Sequence, residues 1–225
     1  MLLTRARQAL DLTRPTARVV SWGPALFAAV VGLGYVALEA PGAYIDYRIL
    51  VLRLAALGLA LGAAFVLDDP TEETLGHVPT PLLLRRALRI ALVLPLVTAA
   101  WIALVNAAGT VRPRQGGPLP VGDLTIEAAT LLAVALCAAC AGSRFTSDRL
   151  GGIVAAPVVL ALVAAAMFLP ADQKMILGSP VDVRWHDAHE WWLGVLAVSG
   201  ALFLWLNLTA GARRTVARMR GPRRA

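Results

Sequence analysis

Several groups of residues in this chain have types and spacings that can do chemistry. In Trp185-His186-Asp187-Ala188-His189-Glu190-Trp191-Trp192 two imidazoles stand at i, i+3, with a carboxylate beside each. On a helix that spacing places His186 and His189 on one face, where they can share a metal ion or form an acid/base cluster. The segment specifies no third metal ligand, and tryptophans at a span entrance are the usual anchors of a helix at a membrane surface, so interfacial anchoring accounts for it better. Cys137 and Cys140 lie one helical turn apart inside an apolar run. Soft-metal ligation there competes with the commoner use of small residues at helix contacts.

Three polar side chains interrupt apolar runs: Arg53, Asn106 and Glu127. An arginine near a bilayer centre costs roughly 3 kcal/mol on insertion scales, so each of the three needs a home. They can pair, line a polar vestibule, or reach out to the headgroups. The only lysine, Lys174, follows Gln173 rather than a glycine. That removes the P-loop, so any ATP and Mg belong to another chain and no cofactor is expected on this one.

These residues are carried by a sequence of 225 residues that is 58% hydrophobic and 16% charged, with a mean hydropathy of +0.69. The balance predicts an all-α polytopic membrane protein and leaves no room for a large aqueous domain. Six apolar runs, over residues 22–38, 49–67, 88–107, 124–142, 153–169 and 192–210, are long enough to cross a bilayer as helices, which satisfy their own backbone hydrogen bonds where water is absent. Pro95 and Pro157 are candidate kinks in the third and fifth runs. Before the first run, residues 1–20 read as a short interfacial elbow helix with Leu2, Leu3, Ala6, Ala9 and Leu10 on one side, ended or kinked at Pro15.

Orientation follows from the basic residues. Fifteen of the 21 fall on the side shared by both termini, among them Arg85, Arg86, Arg89, Arg144 and the tail from Arg213 to Arg224. This bias predicts that both termini are cytoplasmic, in a cell membrane. The basic tail, residues 211–225, is expected to attract anionic lipid rather than nucleic acid.

Between the second and third runs sits Asp68-Asp69-Pro70-Thr71-Glu72-Glu73-Thr74-Leu75-Gly76, an acidic island in a basic surface. Asp69 suits an N-cap, Pro70 the first helical position, Glu72 the reciprocal capping position and Gly76 the stop, which together predict one or two turns of helix. Val78-Pro79-Thr80-Pro81 then stiffens the link to the third run. Such a mounted acidic helix is a docking knob for another protein. The plainer alternative is a solvated turn whose acids complement a helix N-terminus or pair with nearby arginines.

An elbow helix, six spans, a structured acidic helix between spans two and three, and a long partly apolar segment before span six together resemble the permease subunit of a type-2 ABC exporter. The resemblance implies that the acidic segment is a coupling helix fitting a separate ABC ATPase, with Asp68, Asp69, Pro70, Glu72, Glu73 and Leu75 carrying the contact. It also implies a second permease copy, in a homo- or heterodimer, and a lipophilic or amphipathic cargo. No residue of this chain then does bond chemistry. Two other classes stay open: a membrane scaffold or assembly protein that recruits a soluble partner through the same segment, and a membrane-embedded metal-dependent enzyme using the 186–190 cluster.

Overall fold

The computed structural model describes residues 13, 16–39, 44–68, 82–110, 118–145, 151–168, 178–180 and 182–219. Among them every regular element is helical: α1 Trp22–Glu39, α2 Ile45–Ala64 with a 3-10 turn Phe65–Leu67, α3 Leu82–Thr110, α4 Val121–Phe145, α5 Gly151–Met167 and α6 Trp185–Met219. Four stretches are long and apolar enough to cross a membrane, Ile45–Leu67, Leu84–Gly109, Val121–Arg144 and Trp185–Leu208, and two shorter apolar helices, Trp22–Leu38 and Gly151–Met167, pack beside them. The architecture is that of a helical membrane protein. Pro95 and Pro157 sit within continuous helices rather than at their ends.

Several boundaries exceed the apolar runs that mark them in the sequence. Helix α2 begins at Ile45, inside the segment that hydropathy assigns to a loop, and α6 runs from Trp185 into the basic tail as far as Met219. Both extensions are polar ends on apolar helices, which hydropathy does not register although the backbone continues its own hydrogen-bond ladder.

Successive helices run in opposite directions. At one end Ala25 of α1 meets Gly62 of α2, and Arg86 of α3 meets Ser143 of α4 and Asn207 of α6. At the other end Arg53 of α2 meets Glu127 of α4, and Asp123 of α4 meets Trp185 of α6. We refer to these as the Asp68 end and the Trp185 end. Residues 69–81 and 146–150 both depart from the Asp68 end.

Helices α2 and α4 are the centre of the bundle, and their sequences show why. Helix α2 is the most enclosed span and α6 the least, at 61% and 17% of their apolar windows. Small residues let the backbones approach where apolar solvent offers no hydrophobic drive. A Cβ on Gly62 would lie 2.8 Å from Pro24 O and the Ala25 Cα, and one on Gly151 would lie 2.2 Å from Ala139 O. Two apolar cores result. One joins α1, α2 and α3 through Val36, Leu52, Ala56, Leu59 and Leu104; the other joins α2, α4, α5 and α6 through Ala60, Ala64, Ala135, Cys140, Ala155 and Leu206.

Candidate functional site

At the Trp185 end, three helices bring ionisable groups into one buried cluster. Arg53 grips Glu127 with both arms of its guanidinium, Nε to Oε2 and Nη2 to Oε1, each at 2.6 Å. The Glu127 side chain is only 2% exposed and that of Arg53 13%. A bidentate pair of this kind is directional as well as charged. Arg53 Nη1 also donates to the Gly178 carbonyl at 3.3 Å, tying the segment before α6 to α2. The guanidinium lies 5.6 Å from the centre of the Trp185 ring, within cation–π range.

His189 completes the cluster from α6. Its Nδ1 is 2.7 Å from the Trp185 carbonyl oxygen, one turn back on the same helix. A carbonyl only accepts, so the proton is on Nδ1. Nε2 therefore faces the other way, 3.3 Å from Glu127 Oε1, in an alignment that makes no hydrogen bond. The imidazole packs against the Trp185 indole with ring centres 4.5 Å apart, and the indole Nε1 donates to Asp123 Oδ2 at 2.5 Å. A turn further along both helices, the Thr130 hydroxyl lies 2.8 Å from the Ile126 carbonyl of its own helix and 3.2 Å from the Trp192 carbonyl, while Trp192 Nε1 is buried without a partner among the described residues.

The sequence reading treats residues 185–192 as one interfacial segment, and the structure divides it. His189 and Trp185 are buried, whereas His186, Asp187, Glu190 and Trp191 are exposed. The two histidines are not joined in one site, and among the described residues no group of three histidine, cysteine, aspartate or glutamate side chains is arranged to hold a metal. Trp191 fits the surface-anchor role; Trp185 instead forms one wall of the ionic cluster. Of the three polar residues within apolar runs, Arg53 and Glu127 meet, but Asn106 is exposed and donates back to the Ile102 carbonyl of its own helix. The sequence also understates Arg48, which is 4% exposed and whose Nε and Nη2 have no hydrogen-bond partner among the described residues.

The Asp68 end has its own polar network. Asp68 closes the 3-10 turn and its Oδ1 accepts the Gly152 N–H at 2.7 Å, capping α5 from a different helix. Its backbone carbonyl accepts Arg89 Nη1 at 2.8 Å. Burial pushes the Asp68 carboxyl above the ordinary carboxylate range, and the N–H groups of Gly152 and Gly151 together with Arg89 oppose that shift. Gly152 is required there: a Cβ would lie 2.8 Å from Phe65 Cα and 2.9 Å from Asp68 Oδ2. Beside it Arg86, 6% exposed, donates to Asn207 Oδ1 at 3.0 Å, to Ser143 Oγ at 2.6 Å and to Cys140 Sγ at 3.6 Å, joining α3, α4 and α6. Arginines that sequence reasoning assigns to topology alone thus also fasten the bundle. Cys137 and Cys140 are both free and buried within the α4 contacts.

Asp69, Pro70, Glu72, Glu73 and Leu75, which carry the expected docking role, lie outside the described residues, as do residues 1–12, 14 and 15 of the expected elbow helix and residues 220–225. No known family model matches this chain, and no characterised protein or solved structure matches it.

Proposed function

We propose that this chain is the membrane-spanning permease subunit of an ATP-driven ABC exporter, paired with a second permease copy and moved by a separate ATPase that binds residues 69–75. In this reading all six apolar helices span the cell membrane, the Asp68 end faces the cytoplasm with both termini, and a lipophilic or amphipathic cargo passes between two permeases. ATP and Mg are held by the partner.

One observation carries the proposal. The root of the acidic segment is tied to the rest of the bundle: the Asp68 carboxylate holds the start of α5, and its carbonyl holds Arg89 of α3, while its own chain continues from α2. A load applied to the acidic segment is therefore delivered to three helices together. A recruiting tether needs no such root, whereas a coupling element needs a rigid connection to the parts that switch between packing arrangements. The free energy must come from different contacts of the ATPase with those arrangements.

The test is capture from native membranes with a photo-crosslinking residue at Thr71. The expected product is an ABC ATPase, lost when Glu72→Arg and Glu73→Arg are combined while membrane insertion is retained. Unchanged capture in the double variant, or labelling that places Thr71 on the opposite side of the membrane from the tail, refutes the assignment.

A further inference from the structure

We propose that the exposed face of α3 is where two copies of this chain pack against each other, crossing between Ala99 and Ala103, with Thr98 and Asn106 supplying hydrogen bonds across the contact. The inference rests on the second copy in the preceding reading and on that part of it alone; no ATPase enters.

Lipid tails neither donate nor accept hydrogen bonds, so a helix face that looks onto them is built from large apolar side chains. Helices α1 and α6 are built that way: six large hydrophobic side chains are exposed on α1 and eight on α6, among them Phe27, Val30, Val198 and Leu204. Helix α3 is also open, with only 33% of its apolar window buried, yet among its described residues Leu94 and Ile102 are the only large hydrophobics exposed. The rest of its open face is small or polar. Ala87, Ala91, Pro95, Ala99 and Ala103 recur every four residues with Thr98 and Asn106 beside them, and all seven are exposed. That spacing makes one continuous strip along the helix.

Polar groups recur along the strip. Pro95 has no N–H to give the Ala91 carbonyl, and both residues are exposed well inside α3. Pro157 does the same to Ile153, but in the first turn of α5, close to the Asp68 end. Thr98 follows Pro95 by one turn and Asn106 stands about two turns further on. The Asn106 Nδ2 donates to the Ile102 carbonyl at 2.7 Å, which uses one amide hydrogen and leaves the other, with Oδ1, for a partner. Small residues that admit a close backbone, with threonine and asparagine on the same face, are the composition of a helix–helix contact in a membrane.

The chemistry of the strip selects the occupant. None of its seven exposed residues is charged, so it calls for no ionic partner. Its polar side chains are a hydroxyl and a carboxamide, each both donor and acceptor, and such groups pair with copies of themselves across a two-fold axis. Ridges of small residues four apart interlock in a right-handed crossing, which leaves Thr98 and Asn106 on either side of the closest approach.

The test uses the full-length protein in phosphatidylcholine vesicles. Cys137 and Cys140 are free and buried, so the unaltered chain is the blank for copper–phenanthroline crosslinking. Ala99→Cys is expected to give a disulfide-linked dimer, and Val198→Cys, on the exposed face of α6, is not. Förster transfer between copies carrying donor and acceptor on their tails, followed as lipid is added, measures the dissociation constant. Asn106→Leu is expected to weaken the dimer about five- to tenfold. Ala99→Leu suits lipid but bars close approach, so it is expected to abolish transfer while insertion is retained. No transfer in the unaltered chain at any dilution overturns the proposal. Dissociation constants unchanged by both substitutions, or crosslinking at Val198→Cys in place of Ala99→Cys, do the same. Capture at Thr71 reads out separately: a dimer without an ATPase keeps this inference and refutes the coupling assignment, and an ATPase captured by a monomeric chain does the reverse.

Discussion

A double-mutant cycle on Arg53 and Glu127 is the sharpest test of the reasoning about the Trp185 end. Arg53→Met removes two charged hydrogen bonds at 2.6 Å and leaves behind a carboxylate whose side chain is 2% exposed. Breaking a buried pair from one side costs about 3–5 kcal/mol, because the remaining charge is uncompensated. The expected loss for this variant is about 3 kcal/mol. Glu127→Leu is milder. The Arg53 side chain keeps 13% exposure and the Gly178 carbonyl, so its loss is that of hydrogen bonds to a charged group, about 2 kcal/mol. The double variant leaves neither charge of the pair and is expected to lose only about 1–2 kcal/mol, since buried pairs replaced by apolar residues of similar size are often close to neutral. Equilibrium unfolding in bicelles, read by tryptophan fluorescence, measures all three. A coupling energy of about 3 kcal/mol supports the ion pair, and losses that add within about 0.5 kcal/mol refute it.

The other predictions concern the Asp68 end and the helix contacts. Gly151→Ala places a methyl where Ala139 O would be 2.2 Å away, so a backbone must move; a loss at or above the usual 1–3 kcal/mol of overpacking is expected in thermal unfolding. Gly23→Ala meets nothing within 4 Å and serves as the silent control. Because burial raises the Asp68 carboxyl, the folded chain holds that proton more tightly than the unfolded chain; this contribution is full below about pH 4 and is lost as pH rises through the folded value. Asp68→Asn is expected to flatten that part of the stability profile, and an unchanged slope counts against the burial of that carboxyl in the folded chain. Arg86→Met leaves Asn207 Oδ1 and Ser143 Oγ without their donor, and should cost about 1–3 kcal/mol while the protein still inserts; fluorescence-detected size exclusion after heating reads the change.

Where sequence reasoning fell short, the cause lies in what each signal measures. Hydropathy found the apolar middles of the helices but not their polar ends, so α2 begins at Ile45, before the apolar run that opens at Ile49. Helical spacing put His186 and His189 on one face, yet a small rotation about α6 separates an exposed residue from a buried one, and that rotation is set by the packing of α4. Asp68 reads as the first residue of an acidic surface, and only its neighbour across 84 positions, Gly152, makes it a helix cap. The burial of Arg48, Arg86 and Arg89 has no sequence signal, since an arginine beside a span has the same appearance whether it faces headgroups or a neighbouring helix.

What the sequence by itself determined is the medium and the element type: long apolar runs require membrane-like surroundings, and in such surroundings a segment must close its own backbone hydrogen bonds, which makes it a helix. Those are local properties, readable in any window of about 20 residues. Only the tertiary structure decided that Arg53 and Glu127, 74 positions apart, hold each other, and that His189 comes within 3.3 Å of the same carboxylate. Each side chain could equally have faced lipid headgroups. Which way it points depends on how α2 and α6 each pack against α4, and no single stretch of sequence contains that information.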